Sequence, residues 1–83
     1  KDVVTVGRRP GCDVVLNFAD VSKLHCELIC TNGTWQIRDM NSANGVKVKG
    51  VRIAGRKTVR PGEEVSIGHH KFTLRYSPPE GVT

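Results

Sequence analysis

The chain has 83 residues, of which 37% are hydrophobic and 25% charged, and its formal net charge at pH 7 is +5. This length accommodates a single domain, which excludes catalytic machinery built on a cleft between two domains. The composition excludes a disordered tail, and no apolar stretch approaches the roughly 20 residues that span a bilayer. Because the chain begins at Lys1 and not at methionine, we expect it to be part of a longer protein.

Short segments of alternating apolar and polar residues, separated by turn formers, predict an all-β domain. In the first half of the chain, this alternation predicts strands at residues 3–6, 14–16, 24–30 and 35–38. In the last of these strands, Trp35 and Ile37 share one face. The sequence Thr31-Asn32-Gly33 predicts the hairpin turn that precedes it.

The second half continues the pattern, with predicted strands at residues 46–49, 51–53, 65–67 and 71–76. Gly50 marks a hairpin, and Pro61-Gly62 marks another turn. Consecutive prolines at positions 78 and 79 cannot continue a strand, so we predict a domain at residues 1–76 and a C-terminal linker or tail at 77–83. Many short strands at regular spacing indicate a sandwich or a barrel.

Three predicted loops, residues 7–10, 20–25 and 39–45, are rich in polar groups. Because binding residues concentrate on loops that a rigid scaffold positions, these loops are the candidate site. Their guanidinium, hydroxyl, ammonium and amide groups are the donors that bind a dianionic phosphate through charge-assisted hydrogen bonds.

The order of motifs in the chain resembles the forkhead-associated (FHA) domain family. The matching motifs, which extend over most of the chain, are Gly7-Arg8, Ser22-x-x-His25, Asp39-x-x-Ser42-x-Asn44-Gly45, Val48-x-Gly50 and the run Pro61-Gly62-Glu63-Glu64-Val65-x-Ile67-Gly68. Each motif alone is weak evidence for the resemblance, but the order and spacing of the motifs together are specific to this family.

The resemblance implies an all-β, SMAD/FHA-type sandwich of two twisted, mainly antiparallel sheets with about eleven short strands. Because Gly7 lies so near the start of the chain, we expect the family's first strand to be shortened or missing. The implied activity is recognition of phosphothreonine in partner proteins.

By the same resemblance, Arg8 and Ser22 hold the phosphate, Lys23 adds a polar contact, and Asn44 bonds the peptide backbone. His25, Gly7 and Gly45 are expected to support the binding loops. The chain departs from the family at Ala43, where a threonine hydroxyl often adds a phosphate contact.

Two features of the third loop have simpler explanations. Asn44-Gly45 is a favoured hairpin turn that needs no ligand, so we keep both interpretations of Asn44. Asp39 and Ser42 are expected to order the loop through local hydrogen bonds, not to contact a ligand.

An enzyme or a metal site is disfavoured. Ser22, His25 and Asp39 could be written as a hydrolase triad, but the serine lacks a Gly-x-Ser-x-Gly elbow. The candidate metal ligands are Cys12, His25, Cys26, Cys30, His69 and His70, and they include no Cys-x-x-Cys pair. We expect the cysteines to be core residues. His69 and His70 are expected in the last hairpin turn, where they either border a bound peptide or, as we favour, are simply exposed.

Six cations lie between residues 47 and 60 without an acidic residue among them. Such a cluster is typical of nucleic-acid binding, but of the four aromatic residues, Phe18, Trp35, Phe72 and Tyr76, three are predicted in the core, which leaves no stacking platform. The segment either steers acidic, phosphorylated partners or is a solvated strand face.

These observations favour a non-catalytic, monomeric module that binds phosphothreonine proteins, the products of a Ser/Thr kinase. We expect no cofactor, metal, nucleic acid or membrane. The odd number of cysteines favours the cytoplasm or another reducing intracellular compartment. The alternatives are a scaffold domain of the same fold that binds unphosphorylated protein and, less favoured, a basic nucleic-acid-binding domain.

Overall fold

A computed structural model describes residues 2–77, which form nine β-strands and no helix. The strands are β1 (Val3–Gly7), β2 (Val14–Val15), β3 (Cys26–Thr31), β4 (Thr34–Asp39), β5 (Val46–Val48), β6 (Val51–Arg52), β7 (Arg56–Val59), β8 (Glu64–Ile67) and β9 (His70–Thr73). The predicted tail begins at Ser77, which has no regular structure, and its remaining residues, 78–83, lie outside the described ones. The boundary at residue 76 therefore stays a prediction.

The strands form two sheets, one of five strands in the order β2-β1-β3-β4-β7 and one of four in the order β6-β5-β8-β9. Every pairing is antiparallel except that of β1 with β2. The predicted all-β sandwich of mainly antiparallel sheets is confirmed. The nine strands found in residues 2–77 are fewer than the eleven or so that the family resemblance implied.

Both sheets contribute to one core. Successive side chains along a strand point to opposite faces of a sheet, so each sheet directs one set of side chains toward the other sheet. The first sheet provides Val6, Cys26 and Ile37, and the second provides Val46 and Ile67, all with 5% exposure or less. Leu28 lies opposite Ile37 in the β3–β4 pair and packs against this cluster. A single hydrophobic core therefore joins the two sheets that carry the polar loops.

The β3–β4 hairpin turns as the sequence predicts. Asn32 and Gly33 both have positive φ angles, 52° and 78°, which is the conformation that an Asn-Gly hairpin turn requires. The β5–β6 hairpin uses Lys49 and Gly50 in the same way, with φ angles of 54° and 79°. The short connections hold the strands in register.

The second half of the chain differs from expectation in one missed strand and one strand end. Strand β7 was not predicted, because three of its four side chains are exposed and only Val59 is buried. The last strand ends at Thr73, not at residue 76.

The aromatic residues do not form the core. Phe18 and Phe72 are 44% and 37% exposed, and Trp35 and Tyr76 are half-buried. Valine and isoleucine fill the interior instead. The space between the two sheets is thus filled mainly by β-branched side chains.

The predicted position of the cysteines in the core holds for two of the three. Cys26 is fully buried and Cys12 is 8% exposed, whereas Cys30 is half-buried near the end of β3. Burial, together with the nearby carboxylate of Asp39, raises the pKa of Cys26 to about 12. This thiol therefore stays protonated and packs as a small apolar group.

Candidate functional site

The first two polar loops are joined through their backbones at the end of β1. The N–H groups of Arg8 and Arg9 donate to the carbonyl oxygens of Ser22 and Lys23, at 3.0 and 3.1 Å. This approach requires glycine at position 7, because a Cβ atom there would overlap the carbonyl oxygen of Lys23. Gly7 thus lets β1 bring Arg8 beside Ser22.

The side chain of Arg8 is held in place by a hydrogen bond to the protein backbone. Its Nε donates to the carbonyl oxygen of Val21 over 3.1 Å. Among the described residues, no hydrogen bond occupies the two terminal guanidinium nitrogens of Arg8. The planar fork therefore has a fixed orientation and retains the donors that bind a phosphate.

Ser22 uses its backbone and its side-chain oxygen to bridge the loops. Its N–H donates to Nδ1 of His25 over 3.0 Å, and its Oγ accepts the N–H of Ala43 over 3.1 Å. Because that bond uses the oxygen as an acceptor, the hydroxyl hydrogen is left to donate to a ligand.

His25 is completely buried between the second and third loops. Since its Nδ1 accepts from Ser22, the ring proton is on Nε2, which donates to the carbonyl oxygen of Gly45 over 2.8 Å. Both ring nitrogens are thereby satisfied in the neutral form. The ring connects the serine loop to the asparagine loop.

Asp39 and Ser42 order the third loop, as the sequence predicts. The hydroxyl of Ser42 donates to Oδ1 of Asp39 over 2.6 Å and accepts the N–H of Gly45 over 3.0 Å. Gly45 has a φ angle of +79°, and a Cβ atom there would lie 2.6 Å from Nε of Arg52. Glycine is favoured at this position by its left-handed conformation, and its missing side chain leaves room for the Arg52 guanidinium group.

Asn44 is held across the site by Asp20, which is not among the residues predicted to bind or to support the binding loops. Nδ2 of Asn44 donates to the carbonyl oxygen of Asp20 over 2.7 Å. The carboxylate of Asp20 accepts the N–H of His69 over 2.7 Å and Nε2 of His70 over 2.9 Å. These hydrogen bonds, that from the His69 backbone foremost, hold the pKa of Asp20 well below its ordinary value.

The expectation that His70 lies exposed in the last hairpin turn is wrong. It is the first residue of β9, it is half-buried, and its ring stacks on Phe18 with centroids 3.9 Å apart. His69 does lie in the turn and is exposed. Asp20 in the second loop and Phe18 just before that loop therefore both contact the β8–β9 hairpin.

Lys23 has an exposed side chain beside Arg8. Together with Arg8 and Arg9 it lines one shallow surface depression, whose other lining residues are Pro10, Val15 and Asn17. Among the described residues the Lys23 ammonium group has no ion-pair partner. The site is thus electropositive on this side.

The arrangement does not form a hydrolase triad. Both nitrogens of His25 are bonded to backbone groups, and the carboxylate of Asp39 is bonded to Ser42. Neither His25 nitrogen is therefore in position to take a proton from the Ser22 hydroxyl. Within residues 2–77, no group of three or more histidine, cysteine or acidic side chains could hold a metal ion.

The profile of the family described as FHA domain matches residues 4–68. Among curated proteins, the transcriptional regulatory protein EmbR of Mycobacterium tuberculosis is 36% identical over 72 residues, which is 87% of this chain and 19% of EmbR. The chain thus spans about a fifth of the length of this relative.

Solved structures agree with the sequence comparison. Mycobacterium tuberculosis EmbR in complex with a low-affinity phosphopeptide has a TM-score of 0.87 at 32% identity, covering 98% of this chain and 21% of that one. The FHA domain of CT664 from Chlamydia trachomatis has a TM-score of 0.86 at 31% identity, covering 90% and 77%. The N-terminal FHA domain of Saccharomyces cerevisiae Rad53p, in complex with a phosphothreonine peptide, has a TM-score of 0.73 at 28% identity, covering 80% and 56%.

Residues 2–77 contain no helix long and apolar enough to cross a lipid bilayer.

Proposed function

The chain belongs to the FHA domain family, and we propose that it binds phosphothreonine in partner proteins as a non-catalytic recognition module. The observation that carries the proposal is the fixed position of the Arg8 guanidinium group next to Ser22. Nε of Arg8 is bonded to the residue before Ser22, and the backbones of Arg8 and Ser22 are bonded to each other. A cation and a hydroxyl donor therefore converge at one point on the surface.

In this proposal, Arg8 and Ser22 bind the phosphate oxygens, and Lys23 adds positive charge from the rim. The free donors of the guanidinium group match the acceptor oxygens of a phosphate. An unmodified threonine has no charged oxygen atoms. A carboxylate has fewer acceptor oxygens than a phosphate and a smaller negative charge. Selectivity for the phosphorylated state follows from this difference.

Asn44 binds the backbone of the peptide beside the phosphothreonine. One amide hydrogen of Asn44 is used by the carbonyl oxygen of Asp20, which fixes the side chain and leaves its other hydrogen and its Oδ1 for a peptide. Gly7, His25 and Gly45 support this geometry without touching the ligand.

The relatives support the ligand class. The EmbR structure contains a phosphopeptide and the Rad53p structure contains a phosphothreonine peptide. We propose partner proteins phosphorylated by a Ser/Thr kinase for this chain, and no catalysis of its own. Its three free cysteines favour a reducing intracellular compartment such as the cytoplasm.

The test is an NMR titration of the isotope-labelled domain with matched phosphothreonine, phosphoserine and unmodified peptides from a degenerate library. We expect shifts at Arg8, Ser22 and Asn44 with the phosphothreonine peptides. Arg8→Ala should weaken binding at least about tenfold, since a hydrogen bond to a charged group contributes about 1.5–3 kcal/mol.

Arg75→Ala, which removes an exposed guanidinium group after β9, is the control and should bind like the unmodified domain. Equal binding of phosphorylated and unmodified peptides, or binding unaffected by Arg8→Ala, would contradict the proposal. The same fold acting as a scaffold for unphosphorylated protein would then replace it.

A further inference from the structure

A second concave surface lies where the two sheets separate at strands β6 and β7. Its volume is about 930 Å³, within the range of about 300–1,000 Å³ typical of ligand sites. Its lining residues are Val48, Lys49, Val51, Arg52, Ile53, Ala54, Arg56, Lys57, Thr58, Arg60 and Glu63. We refer to this surface as the basic groove.

The charge of the basic groove is strongly positive. Five of its lining residues are lysine or arginine, and one, Glu63, is acidic. That carboxylate is already occupied, because it accepts the N–H of Arg60 over 2.7 Å and lies 3.9 Å from Nζ of Lys49. The groove therefore presents cations that have few protein partners, above apolar side chains such as Ile53.

The basic groove begins at the loop that carries Asn44. The guanidinium group of Arg52, one of the lining residues, lies against Gly45, where a Cβ atom would be 2.6 Å from Nε. Gly45 directly follows Asn44. An extended peptide advances about 3.3–3.6 Å per residue. Peptide residues a few positions away from the residue that Asn44 binds can therefore reach the groove.

We propose that the basic groove binds acidic residues of the same peptide, a few positions away from the phosphothreonine. This inference rests on the proposed function, and it adds a sequence preference to it. Glutamate and aspartate side chains supply the negative charge that the lysine and arginine side chains require. An extended acidic segment also fits a groove bounded by the edge strands β6 and β7.

Nucleic acid fits the basic groove less well. No aromatic side chain is among its lining residues in the described part of the chain, so bases would have nothing to stack on. The continuity with the Asn44 loop also favours the ligand that this loop binds.

The test compares phosphothreonine peptides that carry three glutamates either before or after the phosphothreonine with the same peptides carrying glutamines. Binding is measured by fluorescence anisotropy. We expect the glutamate peptide to bind about tenfold more tightly in one of the two placements, as a few partly exposed ion pairs would give. The double variant Arg56→Gln/Lys57→Gln should remove this advantage and leave the glutamine peptides unaffected.

A matched control, Lys71→Gln/Arg75→Gln, removes two charges outside the groove and should keep the preference. The proposal is overturned if glutamates give no advantage in either placement, or if both double variants reduce the advantage equally. It is also overturned if Arg56→Gln/Lys57→Gln weakens binding of a single-stranded oligonucleotide but not of the glutamate peptides. Failure of phosphorylated glutamine peptides to bind would count against the proposed function instead, because the groove is not needed for them.

Discussion

The backbone N–H of Ala43 donates a hydrogen bond of 3.1 Å to the hydroxyl oxygen of Ser22. This contact joins the second and third loops, and it does not depend on the side chain at position 43. Alanine in place of the threonine frequent in the family therefore leaves the loops connected. What the chain lacks at this position is one hydroxyl donor for a ligand.

Restoring that hydroxyl should strengthen binding. We expect Ala43→Thr to tighten phosphothreonine-peptide binding by about tenfold, because a hydrogen bond to a charged group contributes about 1.5–3 kcal/mol. Isothermal titration calorimetry with one phosphopeptide measures the change. Ala43→Val has the same branched shape without the hydroxyl, so an equal gain in that variant would show that the hydroxyl is not the cause.

Removing the His25 ring should destabilise the domain. In His25→Ala, the N–H of Ser22 and the carbonyl oxygen of Gly45 lose their partners, at about 1–3 kcal/mol for each buried group. We expect a loss of at least about 2 kcal/mol in the free energy of unfolding, measured by urea denaturation. Asn17→Ala, at an exposed position, should lose less than about 0.5 kcal/mol; similar losses in both variants would contradict the assigned role of His25.

Gly7, in the first polar loop, and Gly11, directly after it, should respond differently to alanine. A Cβ atom at position 7 would overlap the backbone of Lys23, whereas at position 11 it would meet nothing within 4 Å. We expect Gly7→Ala to destabilise the domain by about 1–3 kcal/mol and to lower its melting temperature by several degrees. Gly11→Ala should melt near the original temperature, and a matching decrease there would refute the steric explanation.

The carboxylate of Asp20 should make stability depend on pH under acidic conditions. Its pKa in the folded domain lies below the ordinary value of 3.8, so its contribution to stability is complete above that pH. The contribution is lost as the pH falls through the lower folded value.

Asp20→Asn tests this dependence. The difference in unfolding free energy between the original domain and the variant should be largest above about pH 5 and should shrink toward about pH 2. Chemical denaturation at a series of pH values measures it, with Asp2→Asn as a control at an exposed position. A difference that grows on acidification would exclude the assigned hydrogen bonds.

Local sequence determined the class of the fold and most of its strands. Alternation placed β5, in which Val46 and Val48 are buried on either side of the exposed Lys47, and Asn32-Gly33 specified a hairpin through a conformation that few other residue pairs adopt. The same information failed for β7, whose residues Arg56 to Thr58 are all exposed. That strand exists because β4 offers it a free edge, with Trp35 paired to Val59.

The sequence by itself determined, through the order of its motifs along the chain, which residue types are available for the proposed recognition of phosphate. Only the tertiary structure decided how they are held. Asp20 was missed because its partners His69 and His70 lie 49 and 50 residues away, and a lone aspartate in a loop carries no local pattern. The basic groove likewise exists only in the folded chain, because its lining residues come from the edge strands of two different sheets, β6 and β7.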